Sequence, residues 1–185
     1  MNHKNIAVIG TGGYGANLVM LLLEEGHNVL AIDGDFADQK FFKRFTAFSD
    51  SRIFNDKRPK VNIIRDVAVR RGYGNNLITK YTMVGPEFDF SIFKDYYVII
   101  CTDTVQSRQT IELGLKNAGI TNFIHVGCNL NSISLFKTID NTLDSSTVEN
   151  ASSSYVTEPN ARTYLAACLE LMDVIEPVIM KLYKE

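Results

Sequence analysis

Short blocks of continuous apolar residues recur along this chain, separated by polar stretches and by segments with helical spacing. Residues 6–9, 28–32, 97–101 and 123–127 are such blocks, interrupted only by Asn28 and His125. Each predicts a strand, and 97–101 and 123–127 read as strands buried on both faces. Residues 77–84 read as a further strand. Residues 132–139 alternate enough to predict an antiparallel partner. Helices are predicted at 16–25, 59–71 and 107–118. Within 59–71, Val61, Ile64, Val67 and Ala68 fall on one face, Pro59 suits the first turn, and Gly72 and Gly74 end the helix. A long amphipathic helix is expected over 160–183, with Tyr164, Leu165, Cys168, Leu171, Met172 and Ile175 on its apolar side and a bend at Pro177. The connection from 34 to 58 is polar, basic and irregular, with short helical turns expected. Residues 140–160 are rich in Ser, Thr, Asn and Asp and read as a loop.

This alternation predicts an α/β fold: a Rossmann-like, doubly wound, mostly parallel sheet with an antiparallel edge extension and a long C-terminal helix. One domain is expected over residues 1–185, with a Rossmann core at 1–139, a loop at 140–159 and the C-terminal helix at 160–185. Ligands of such sheets bind beyond the carboxyl ends of the strands, and the polar signals fall there. The first strand runs into Gly10-Thr11-Gly12-Gly13-Tyr14-Gly15, and the second ends in Asp33. Glycines let the backbone turn tightly and approach a phosphate with no Cβ in the way. The helix that follows offers unpaired N–H groups and a partial positive charge to an anion. Asp33 lies where a carboxylate can bind ribose hydroxyls. The expected ligand is a nucleotide.

Composition narrows the classes. The net charge of −2 gives no bulk attraction to nucleic acid or acidic membranes. No apolar run reaches the ~20 residues needed to span a bilayer. The first apolar strand begins almost at the start of the chain, which leaves no room for a signal peptide, so a cytoplasmic protein is expected. Cys101, Cys128 and Cys168 form no CxxC pair and read as reduced and inert.

Further along, Asp33-Gly34-Asp35 is followed by Arg44, by Pro59-Lys60, and by Thr102-Asp103-Thr104 with Arg108. With the glycine turn, this set resembles the ThiF/MoeB-type adenylyltransferases, the superfamily of ubiquitin-activating enzymes. The resemblance runs from residue 5 to about residue 139. It implies that Gly10, Gly12, Gly13, Gly15, Asp33 and Asp35 bind the nucleotide, that Arg44 and Lys60 hold the phosphates of ATP, and that Asp103 holds Mg²⁺. It implies an ATP- and Mg²⁺-dependent transfer in which a C-terminal carboxylate is adenylated, the acceptor being a small ubiquitin-like or sulfur-carrier protein. It also implies a homodimer. The apolar residues of the last helix, Met172 among them, suit such an interface.

The pattern departs from the resemblance at defined points. Phe41 and Phe45 stand where Asn and Gln are the rule, and Thr104 stands in place of Asn. Zinc-binding cysteine pairs are absent, and residues 140–160 contain no cysteine for a thioester step. A chain reduced in this way also fits a regulatory protein that binds nucleotide without turnover. An NAD(P)-dependent oxidoreductase is the other enzyme reading. Phe41 and Phe45 either form an apolar lip for a partner or pack beneath the loop. Several residues carry a plainer alternative: Lys57 competes with Lys60, Asp35 shapes the loop, Asp103 caps a helix, Arg108 pairs with a carbonyl or carboxylate, and His125 is a satisfied core histidine.

Overall fold

The computed structural model describes residues 3–45, 47, 57–129, 132–137, 168, 169, 172 and 173, with 127–129 and 132–137 described by backbone alone. Strands β1 (Asn5–Ile9), β2 (Asn28–Asp33), β3 (Leu77–Tyr81), β4 (Tyr97–Ile100), β5 (Phe123–Asn129) and β6 (Ser132–Lys137) form one sheet in the order β3-β2-β1-β4-β5-β6. The first five are parallel, and β6 runs antiparallel to β5. The expected sheet and its antiparallel extension are therefore present.

Central strands β1, β2 and β4 are apolar almost throughout because both of their faces are covered, whereas the edge strand β3 is largely exposed. Ile6 and Val8 belong to one core cluster, Ala7 and Ile9 to the other. On the first face lie α1 (Gly13–Glu24), α2 (Gln39–Arg44) and α3 (Lys60–Arg70). On the second lie α4 (Val105–Asn117) and a short 3₁₀ turn at Phe90–Phe93. This two-layer burial is the main stabilising term, since each fully buried Leu or Ile contributes about 1.5–3 kcal/mol relative to exposure.

Two elements differ from expectation, each for a local reason, and the short helical turn expected in the polar connection is present. Helix α1 begins at Gly13 rather than residue 16, so the glycine turn is itself the helix start. Strand β3 stops at Tyr81 rather than residue 84, because its partner β2 ends at Asp33, which lies opposite Tyr81. Thr82 then makes one last bond from its amide to the Asp33 carbonyl, 3.2 Å, and the chain leaves the sheet. The polar connection holds a short helix, α2, capped by the Asp38 carboxylate, which accepts from the Phe41 amide at 2.7 Å. Phe41, Phe42 and Phe45 are buried under it and pack ring to ring, so Phe41 and Phe45 form no exposed lip.

Cys168, Leu169, Met172 and Asp173 are helical, as expected of the last segment. Cys168 and Met172 are buried in the same cluster as α1. Met172 is thus spent within the chain and is no part of a dimer surface. The remainder of 160–185, and the whole of 140–159, lie outside the described residues. Among the described residues no helix is long and apolar enough to cross a membrane.

Candidate functional site

The glycine turn is shaped by contacts that exclude side chains. Gly10 has φ +89°, and a Cβ there would meet the Cys101–Thr102 backbone at 3.0 Å. Its amide donates to the Ile32 carbonyl at 2.9 Å, which ties the turn to the end of β2. Gly15 lets α1 lie against the turn, since a Cβ would stand 1.9 Å from the Gly10 carbonyl oxygen. The N-cap of α1, Gly12, supplies no side-chain acceptor, and helix N-termini of this kind suit anions.

Asp33 organises the floor. Its Oδ2 accepts from the Thr11 amide at 2.6 Å and the Thr11 hydroxyl at 3.0 Å. Its Oδ1 accepts from the Asp35 amide at 2.7 Å. Lys60, the first residue of α3, donates from Nζ to Asp35 Oδ2 at 2.7 Å and lies 3.9 Å from Asp33 Oδ2. Asp35 is the exposed member of this group. Its carbonyl also accepts from the Lys60 amide, so Asp35 does shape the loop.

Across the sheet, Thr104 caps α4 by accepting from the Ser107 amide. The expected cap at Asp103 is therefore one residue off, and Asp103 is exposed beside it. Arg108 is buried, and its Nη2 donates to the Val126 carbonyl at 2.8 Å, the plain role expected of it. His125 is buried and bonds Glu112 through Nε2 at 2.9 Å, so it is a core histidine as expected, though its buried Nδ1 has no hydrogen-bond partner among the described residues and it is satisfied only in part. The side chain of Cys128 lies outside the described residues.

These elements enclose a cavity of about 740 Å³ at the carboxyl ends of β1, β2 and β4. Gly10, Gly12, Gly13, Asp33, Asp35, Arg44, Lys60 and Asp103 all line it. Gly15 lies behind the turn and does not. Lys57 does not line it either, so the geometry favours Lys60 between the two. Sequence reading missed Thr11 as a partner of Asp33, the Thr82–Val84 wall beyond β3, and Asn17. The signal for Asn17 was visible: it is the one polar residue in the apolar run 16–23.

Among the described residues, no group of three or more His, Cys, Asp or Glu could hold a metal. A single rim carboxylate such as Asp103 still fits Mg²⁺, which binds through one or two carboxylates together with substrate phosphates.

No family model matches the chain, and no curated protein matches it. Solved structures do. PaaA superposes with a TM-score of 0.66 at 17% identity, over 95% of this chain and 55% of PaaA. E. coli MccB, solved with MccA-N7isoASN, gives 0.65 at 14% identity, over 97% of this chain and 57% of MccB. E. coli TcdA, a tRNA N6-threonylcarbamoyladenosine dehydratase solved with AMP, gives 0.56 at 19% identity, over 71% of this chain and 53% of TcdA. At these identities the likeness is one of fold. The chain spans a little over half the length of each.

Proposed function

We propose that this chain, which has the fold of the ThiF/MoeB-type adenylyltransferases, binds ATP and adenylates a carboxylate. The carrying observation is the convergence of the glycine turn, Asp33, Arg44, Lys60 and Asp103 on one cavity. TcdA holding AMP and MccB holding an MccA derivative support a nucleotide and a small partner here. The acceptor in this reading is the C-terminus of a small ubiquitin-like or sulfur-carrier protein, and the chain acts as a cytoplasmic homodimer. A sedimentation run that finds only monomer overturns the dimer.

In the reaction, a carboxylate oxygen attacks the α-phosphorus. The bond from that phosphorus to the bridging oxygen breaks, and its electron pair leaves with pyrophosphate. Little acid–base work is needed, so positioning and charge neutralisation carry the catalysis. The first-turn amides of α1 approach the phosphates. Arg44 clamps two phosphate oxygens at once, and Lys60 supplies a point charge once it leaves Asp35. The remaining acceptor capacity of Asp33 meets a ribose hydroxyl. Asp103 would hold Mg²⁺, which when bound neutralises phosphate charge.

Exchange of labelled pyrophosphate into ATP, with candidate carrier proteins present, tests the reading. Asp103→Ala is expected to abolish exchange while moving stability by no more than about 0.5 kcal/mol, since the residue is exposed. Full activity in that variant overturns the metal role. A second reading, nucleotide binding without turnover, is favoured by Phe41: it lines the cavity where the resemblance expects a hydrogen-bonding Asn. ATP binding with no exchange for any carrier supports it.

A further inference from the structure

We infer that Asn17 is a positioning residue that holds Arg44 in register with the glycine turn. The inference rests on the phosphate role proposed for Arg44. Asn17 sits in the apolar interior of α1 and is 1% exposed. A buried amide is costly there unless it is hydrogen-bonded. Its Nδ2 donates to the Gly13 carbonyl at 2.6 Å and to the Arg44 carbonyl at 2.7 Å. One nitrogen thus joins two separate pieces of the cavity wall, for Gly13 and Arg44 both line it.

The two carbonyls are informative. Gly13 is the first residue of α1. Arg44 is the last residue of α2, where carbonyls have no partner inside the helix. Helix α2 is a six-residue element, too short to hold its own position. Asp38 fixes one end, buried phenylalanines fix its underside, and Asn17 fixes the end that carries Arg44. Asn17 therefore ties the Arg44 main chain directly to the first residue of α1. A phosphate clamp is sensitive to small displacements, because a shift of about 1 Å costs on the order of a hundredfold in rate.

The test is a cycle on the full chain: unaltered protein, Asn17→Leu, Arg44→Ala and the double variant. Leu keeps most of the volume and removes both donors. Affinities for ATP and for adenosine are read by calorimetry, with thermal melting alongside. Asn17→Leu is expected to weaken ATP about fivefold, leave adenosine within about twofold, and add nothing in the Arg44→Ala background. Equal losses for both ligands, or losses that add in the double variant, overturn the inference. If Arg44→Ala weakens ATP and Asn17→Leu does not, only the inference falls. If Arg44→Ala leaves ATP affinity unchanged, the phosphate role falls and the inference with it. Should Asn17→Leu fail to fold, Asn17→Ser takes its place, with the same outcomes.

Discussion

Replacing Asp33 by Asn isolates what the end of β2 contributes. Asp33 accepts from three donors: the Thr11 amide, the Thr11 hydroxyl and the Asp35 amide. Thr11 is fully buried, so water cannot substitute for a lost partner. A carboxylate suits this site because both of its oxygens accept. An Asn side chain has one accepting oxygen and one NH₂ group. Either orientation turns that NH₂ toward an amide donor, and Lys60 loses a counter-charge 3.9 Å away. One buried unsatisfied donor costs about 1–3 kcal/mol. A loss of about 2 kcal/mol is expected, which lowers Tm by about 4–8 °C in a chain of this size. Urea denaturation measures the first and calorimetry the second. Asp35→Asn is the control. Asp35 is exposed and lends Asp33 only its backbone amide, so it should move stability by no more than about 0.5 kcal/mol. If Asp33→Asn melts within about 1 °C of the unaltered protein, the three bonds do not carry the turn and the reasoning fails.

Other outcomes follow from the same geometry. Gly15→Ala should destabilise by about 3 kcal/mol despite the better helix propensity of Ala, because the added methyl meets a backbone oxygen at 1.9 Å; a neutral result in denaturation overturns the close approach. Lys60→Ala should weaken ATP by at least about tenfold, while Lys57→Ala changes it by less than about twofold; the reverse order in calorimetry reassigns the phosphate ligand. Burial, with the Arg108 and Lys116 charges, holds the His125 imidazole below its ordinary 6.5 against the opposing pull of Glu112. The unfolded chain then binds a proton as pH falls past 6.5 and the folded chain does not, so stability should fall with pH below that value. His125→Gln should flatten that part of the denaturation profile; an unchanged slope rules His125 out as its source.

Much of the fold was legible because a sheet covered on both faces leaves a plain mark. Residues 97–100 are apolar without alternation and 123–126 are apolar but for His125, and both are strands. Gly10, Gly12, Gly13, Asp33 and Asp103 were legible as candidates because strand ends carry ligand groups in such sheets, and all five line one cavity. Bonds between segments far apart in sequence were harder to read. Nothing local to Thr11 states that it will meet Asp33, and nothing local to Phe45 states that it will turn inward. Helix α2 was blurred because six residues carry too little periodicity to stand out from a charged loop.

The groups around the cavity belong to opposite sides of the sheet. The glycine turn, Arg44 and Lys60 ride on helices of one layer, and Asp103 stands at the head of α4 in the other. In the proposed reading, a Mg²⁺-bound triphosphate reaching from Lys60 to Asp103 would act as a rivet through the end of a laminate. At a hundredfold excess over its Kd it would add about 2.7 kcal/mol. Peeling either layer away would first have to break that fastening.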